Sequence, residues 1–135
     1  MRKLYRYIFS MFLCILIGCT HGLTGSLPHI DSNAAELIVI RDHAFTGSGV
    51  SYKVTLDDQD VLAIRVGEYA KLPVAAGVHK IGVGKFMSYN VRFEPCKKYY
   101  FVIKTSFSGV VIEPLSEEKG LDLISKSKYL PLENK

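Results

Sequence analysis

Cysteine, histidine, clustered aspartate and serine paired with lysine are the residues of this 135-residue chain that could carry chemistry. Ser116-Glu117-Glu118-Lys119 and Ser125-Lys126-Ser127-Lys128 both satisfy Ser-x-x-Lys, the nucleophile spacing of penicillin-recognising enzymes. Neither is joined by a Ser-Asp-Asn or Lys-Thr-Gly partner, and the chain is too short for that architecture. Gly82-Val83-Gly84-Lys85-Phe86-Met87 starts like a dinucleotide loop but lacks the third glycine and the strand-to-helix setting, so it reads as a glycine-rich strand or bulge. Asp57, Asp58 and Asp60 could offer oxygens to Ca²⁺, yet no glycine and distal glutamate complete a loop, and a solvated hairpin turn is the better reading. The histidines, His21, His29, His43 and His79, show no HExxH or Cys/His spacing. His79 shares parity with Ile81 and Val83, which predicts a hydrogen-bonded, half-buried ring rather than a ligand or base. No catalytic residue, metal site or cofactor is expected, and the chain reads as a non-enzyme.

One cysteine has a defined chemistry. Arg2, Lys3 and Arg6 precede an apolar run from Tyr7 to Ile17, which closes on Leu16-Ile17-Gly18-Cys19. The run is about half of the ~20 residues that span a hydrocarbon core, so it suits a signal peptide better than a permanent membrane helix. The closing residues resemble the lipobox of bacterial lipoproteins. That resemblance implies cleavage between Gly18 and Cys19, with diacylglycerol on the Cys19 thiol and an acyl chain such as palmitate on its new amino group. Cys14 is the rival acceptor, but Leu13 before it is large for the peptidase pocket. Several acyl chains at ~0.8 kcal/mol per buried methylene hold a protein on a bilayer where one chain would not. Thr20, standing where an aspartate would signal inner-membrane retention, points to the outer membrane, facing the periplasm.

Cleavage changes the charge. The whole chain is +4, but loss of Arg2, Lys3 and Arg6 leaves 14 basic against 13 acidic side chains, which removes the main argument for nucleic-acid binding. With Cys14 removed and Cys19 lipidated, Cys96 stands alone and no internal disulfide can form. Cys96 is then either a small buried hydrophobe or a thiol open to intermolecular pairing.

Residues 19–33 include Thr20 to Asn33, rich in Gly, Ser and Pro, and read as a lipidated Cys19 followed by a flexible tether. Residues 34–132 form one unit with the two-residue rhythm of strands. Tyr52, Val54 and Leu56 alternate with Lys53 and Thr55, and Leu62, Ile64 and Val66 with Ala63 and Arg65. Tyr89, Val91 and Phe93 alternate with Asn90 and Arg92, and Tyr99, Phe101 and Ile103 with Tyr100, Val102 and Lys104. Further strands are expected at Glu36–Asp42, Val78–Lys85 and Gly109–Glu113, with Tyr69–Val74 marginal. Turns fall at Thr46–Gly49, Asp57–Asp60, Ala75–Gly77 and Glu94–Cys96. The pattern predicts an all-β fold, a single antiparallel β-sandwich of seven to eight short strands. A short C-terminal helix at Glu117–Lys126 is capped by Ser116 and weakened by Gly120.

The strand of Ala35 to Asp42 followed by Phe45-Thr46-Gly47-Ser48-Gly49 resembles the opening of a small bacterial envelope domain known as a domain of unknown function. Lys53 to Asp60, Gly67-Glu68-Tyr69, Leu72 to Ile81 and Lys97 to Ile103 fit the same family, although Ala76 and Asp58-Gln59 replace its usual proline and Asp-Gly turn. The resemblance covers about 80 residues and implies a sandwich of the surface-layer or carboxypeptidase-regulatory-like type, with no catalytic residues.

One charge asymmetry bears on partners. Lys80, Lys85, Arg92, Lys97, Lys98 and Lys104 lie between Val78 and Thr105 against Glu94 alone. If those strands are neighbours, Lys80, Arg92, Lys98 and Lys104 make a positive face, with Tyr100 as its apolar anchor. Such a face suits an envelope protein or a cell-wall component, beside the membrane held through Cys19. The alternatives are a structural accessory of a larger envelope assembly and, last, a small hydrolase using His79 or His43.

Overall fold

The computed structural model describes residues 33–43 and 49–132. The expected signal peptide, Gly18, Cys19, the expected tether up to residue 32 and most of the expected Thr46–Gly49 turn lie outside the described residues.

Among the described residues nine strands and one helix follow one another: β1 (Ala35–Arg41), β2 (Tyr52–Leu56), β3 (Gln59–Ile64), β4 (Glu68–Val74), β5 (Gly77–Val83), β6 (Met87–Phe93), β7 (Lys98–Ser106), β8 (Gly109–Leu115), α1 (Glu117–Ser125) and β9 (Lys128–Tyr129). They form two sheets, a five-stranded one in the order β8-β7-β1-β4-β9 and a four-stranded one in the order β3-β2-β5-β6. The expected count of seven to eight strands is therefore low. The marginal segment at 69–74 is a full strand, and β9 was not foreseen.

The expectation of a purely antiparallel fold also needs correction. β1 runs parallel to β7, and β9 runs parallel to β4. Alternation fixes which side of a strand is apolar but carries no information on which strand it pairs with. β1 enters the sheet between β4 and β7, two strands that are far from it in sequence.

A shared core lies between the sheets, with Leu37, Val39, Phe101 and Ile103 from one meeting Val54, Ile64, Ile81 and Phe93 from the other. β1 and β7 depart from simple alternation because both of their faces are covered. Ile38, Ile40 and Tyr100 form a second cluster beneath Leu123 and Ile124 of α1. Gly120 lets the helix come this close. A Cβ there would stand 2.3 Å from Cδ1 of the Tyr100 ring, so the residue that weakens the helix is the one the packing requires.

Turn geometry follows residue chemistry. Asp57 and Asp58 take φ of 51° and 64°, the two-residue hairpin turn whose twist matches its flanking strands. That turn is shorter than expected, since Gln59 and Asp60 already belong to β3. Pro114 sits in the edge strand β8, and Pro73 lies where β4 has run past the short β9. Both are places where a missing N–H is tolerated.

Candidate binding surface

Register assigns every turn to one of two ends of the molecule. The start of β1 aligns with the ends of β4 and β8 and the start of β7, so Asn33 enters beside the turns at Ala75-Ala76, Glu94–Lys97 and Ser116. The Asp57-Asp58 turn of the second sheet lies at this proximal pole too, because Leu56 pairs with Gln59 and Ile81 at the end where β5 begins. The distal pole carries the exit of β1, Val50, the turn at Arg65–Gly67, the β5–β6 turn at Gly84–Phe86 and the β7–β8 turn at Phe107-Ser108.

Arg41 ties the distal ends of the two sheets together. Its side chain is buried at 1 % exposure, and its guanidinium donates to the carbonyls of Val50 and, at 3.1 Å, Ile64. The guanidinium carbon lies 4.2 Å from the centre of the Tyr52 ring. Burial pushes the guanidinium down from its ordinary pKa, while Tyr52 and Glu68 pull it back. It remains a cation at any physiological pH.

Around this clamp, large apolar side chains face outward. Phe107 is fully exposed at 102 % at the tip of its hairpin, Phe86 is 68 % exposed and Val50 is 54 % exposed. The Phe86 ring makes an edge contact with Tyr52 at 6.3 Å, which links it to the Arg41 cluster. A shallow cup of about 510 Å³ extends from the Phe86 turn along the outer face of the four-stranded sheet. Thr55 and Ser88 line it, and two ion pairs stand on it, Lys53 with Asp60 at 2.6 Å and Lys80 with Asp58 at 2.7 Å. The hydrogen bond that Lys53 donates to the Asp60 carboxylate holds its ammonium above the ordinary pKa.

The expected positive face divides. Lys80 and Arg92 lie on the outer side of β5 and β6, whereas Lys98, Tyr100 and Lys104 share the outer parity of β7 in the other sheet. Arg92 and Lys98 meet only at the side of the molecule, where both border a cleft of about 460 Å³ between β6 and the β7–β8 pair. Lys80 is spent on Asp58, and Lys104 on Glu113 at 2.7 Å. Tyr100 is not an exposed anchor: at 5 % exposure it lies under α1, and burial pushes its phenol above the usual pKa. Its strand parity is outward as expected, but the helix covers that face.

The remaining candidates have structural partners. His79 Nδ1 meets Asp57 Oδ2 at 2.7 Å, and its ring packs on Phe93 at 5.9 Å. An ionised Asp57 can only accept, so Nδ1 carries the proton. Asp57 also accepts from the Lys80 amide at 2.9 Å, and these two bonds hold its carboxyl below the usual carboxylate range, His79 contributing most. His43 Nε2 reaches the Lys126 carbonyl at 2.8 Å. Ser116 caps α1 by accepting from the Lys119 amide, and Ser125 Oγ donates to the Asp122 carbonyl at 2.7 Å. Among the described residues, no three His, Cys, Asp or Glu side chains converge as metal ligands. Cys96 is exposed, at φ 59°, so of the two readings the buried hydrophobe is excluded.

Phe86 and Phe107 escaped the sequence reading. The available signal was a lone phenylalanine inside turn chemistry, as in Ser106-Phe107-Ser108-Gly109, where no strand parity can bury it.

No family model matches the chain, and neither curated proteins nor solved structures yield a match. The likeness of residues 35–113 to an envelope domain therefore rests on the motifs quoted above.

Proposed function

We propose that this chain is a non-enzymatic, lipid-anchored protein of the bacterial envelope, held by Cys19 in the outer membrane and facing the periplasm. Its β-sandwich, of the surface-layer or carboxypeptidase-regulatory-like type, binds a periplasmic protein or cell-wall partner through its distal pole. The observation that carries the reading is the position of exposed apolar turns at the pole opposite the start of β1. An anchor at Cys19 feeds the chain into the proximal pole through residues 20–33, a stretch that reaches roughly 50 Å at full extension. The tether leaves the distal turns free to face away from the bilayer, and exposed aromatics on that side suit recognition rather than solubility.

A photo-crosslinking phenylalanine analogue placed at position 107 in intact cells, with position 121 on α1 as control, tests this. A discrete adduct at 107 and none at 121 is expected; equal labelling at both sites overturns the distal-pole reading. Labelled fatty acid should enter the wild-type chain and not Cys19→Ser, and continued labelling of that variant refutes the anchor.

A further inference from the structure

We infer that the cup on the outer face of the four-stranded sheet is a glycan-binding subsite for a sugar bearing a carboxylate. The inference deepens the binding function proposed above and rests on it.

The floor of the cup is shaped by an absence. Gly82 lies between Thr55 and Ser88, and a Cβ there would stand 2.8 Å from Thr55 Oγ1 and from the Met87 carbonyl, and 2.9 Å from Ser88 Cβ. Any larger residue would raise the floor or displace its neighbours. Glycine leaves room for the two hydroxyl side chains, which line a depression large enough, at about 510 Å³, for a pyranose ring.

Donors and acceptors are mixed in a way that selects among ligands. Lys53 and Lys80 are each neutralised by an aspartate, Asp60 and Asp58, so these four residues present ammonium donors and carboxylate acceptors with no net charge. These four residues give a phosphate no net attraction, and their two carboxylates are acceptors that an acceptor-rich anion leaves unused. A polyol, whose hydroxyls both donate and accept, can use both kinds of group. Lys85 differs, because it forms no ion pair among the described residues and is exposed on the rim. It supplies one unbalanced positive charge, which fits one carboxylate on the ligand. Phe86, 68 % exposed beside it, offers an apolar face on which the C–H side of a sugar ring can lie. Hydroxyl floor, balanced ion pairs, one free ammonium and one aromatic wall together describe an acidic oligosaccharide.

The experiment uses the full chain in detergent micelles and follows backbone amide shifts. The probes are the disaccharide of N-acetylglucosamine and N-acetylmuramic acid, the neutral N-acetylglucosamine dimer, and inorganic phosphate. The acidic disaccharide should shift the Gly82, Lys85 and Ser88 amides to saturation, and the neutral dimer should bind roughly five-fold or more weakly. Phe86→Ala should weaken the acidic sugar by about ten-fold, and Lys85→Gln should bring the two sugars to equal affinity. Both side chains are solvent-facing, so neither change threatens the fold. Phosphate shifting the same amides equally well, an affinity for the acidic sugar unchanged by Phe86→Ala, or no shift at millimolar sugar would each overturn the inference. A failed titration alongside a discrete crosslink at position 107 removes the glycan and leaves the binding reading standing.

Discussion

At the proximal pole the turns are built from Asp57-Asp58, Ala75-Ala76 and Glu94-Pro95-Cys96-Lys97, and their polar groups fold back onto the protein. Asp57 is hydrogen-bonded to His79 and to the Lys80 amide, Glu94 is ion-paired with Lys97, and the Glu94 amide donates to Tyr99 Oη at 2.9 Å. At the distal pole the pattern is reversed. There Arg41 is buried among carbonyls and Tyr52, while Phe86 and Phe107 point outward beside the exposed Arg65 and Lys85. Both poles end the same short strands, so the demands of hairpin closure cannot explain the contrast. One pole spends its polar groups on holding turns in shape, and the other ties its strands with a buried cation and displays two aromatic rings.

The largest expected effect tests the distal clamp. Arg41→Met keeps apolar bulk but strips the Val50 and Ile64 carbonyls of their donor and removes the stack on Tyr52. Unfolding stability should fall by about 3 kcal/mol, in the range seen when one partner of a buried charged network is removed. Urea denaturation measures this, and a loss below about 1 kcal/mol would mean that the pole is held by something other than Arg41.

Gly120→Ala comes next. Helix propensity alone predicts a gain of about 1 kcal/mol. The close approach to Tyr100 predicts instead a net loss of about 1–3 kcal/mol, because the ring is fixed under α1 and cannot retreat. The sign of the change in thermal midpoint decides which effect wins.

These two sites also mark the limits of what could be read from the sequence. Seven of the strands and the capped helix were legible because alternation and turn residues are local signals, and Ser116 performs the predicted capping. The parallel pairing of β1 with β7 was not legible, since no local pattern encodes a partner 62 residues away, as Lys98 is from Glu36. Tyr100 shows the cost: its outward parity was read correctly, and its exposure was wrong because α1 folds back over the sheet. The basic residues were found but not their arrangement, which depends on which sheet each strand joins. The phenylalanines of the distal turns were missed because they interrupt no periodicity.

The proximal pole can be weakened selectively. Asp57→Ala should cost about 1–2 kcal/mol at neutral pH through loss of the bonds to His79 and Lys80, discounted because the carboxyl is half exposed. Its carboxyl is held below the usual range in the folded state, so the unfolded chain binds the proton more readily. The contribution is fully present above the ordinary aspartate range and disappears as pH falls through the depressed value. Wild type and Asp57→Ala should therefore converge in stability on acidification, and a constant gap down to strong acid would show that the carboxylate's charge is not what holds the turn.

The smallest effect on stability separates the poles most sharply. Phe107 buries almost nothing, so Phe107→Ser should change unfolding stability by less than about 0.5 kcal/mol. Phe86→Ser should cost somewhat more, up to about 1 kcal/mol, because its edge contact with Tyr52 is lost. Two aromatics that contribute so little to the fold are available for contact outside the chain. Should Phe107→Ser instead destabilise the protein by more than about 1 kcal/mol, the ring has a partner within the molecule. The distal pole would then be an internal contact, and the contrast with the proximal pole would dissolve.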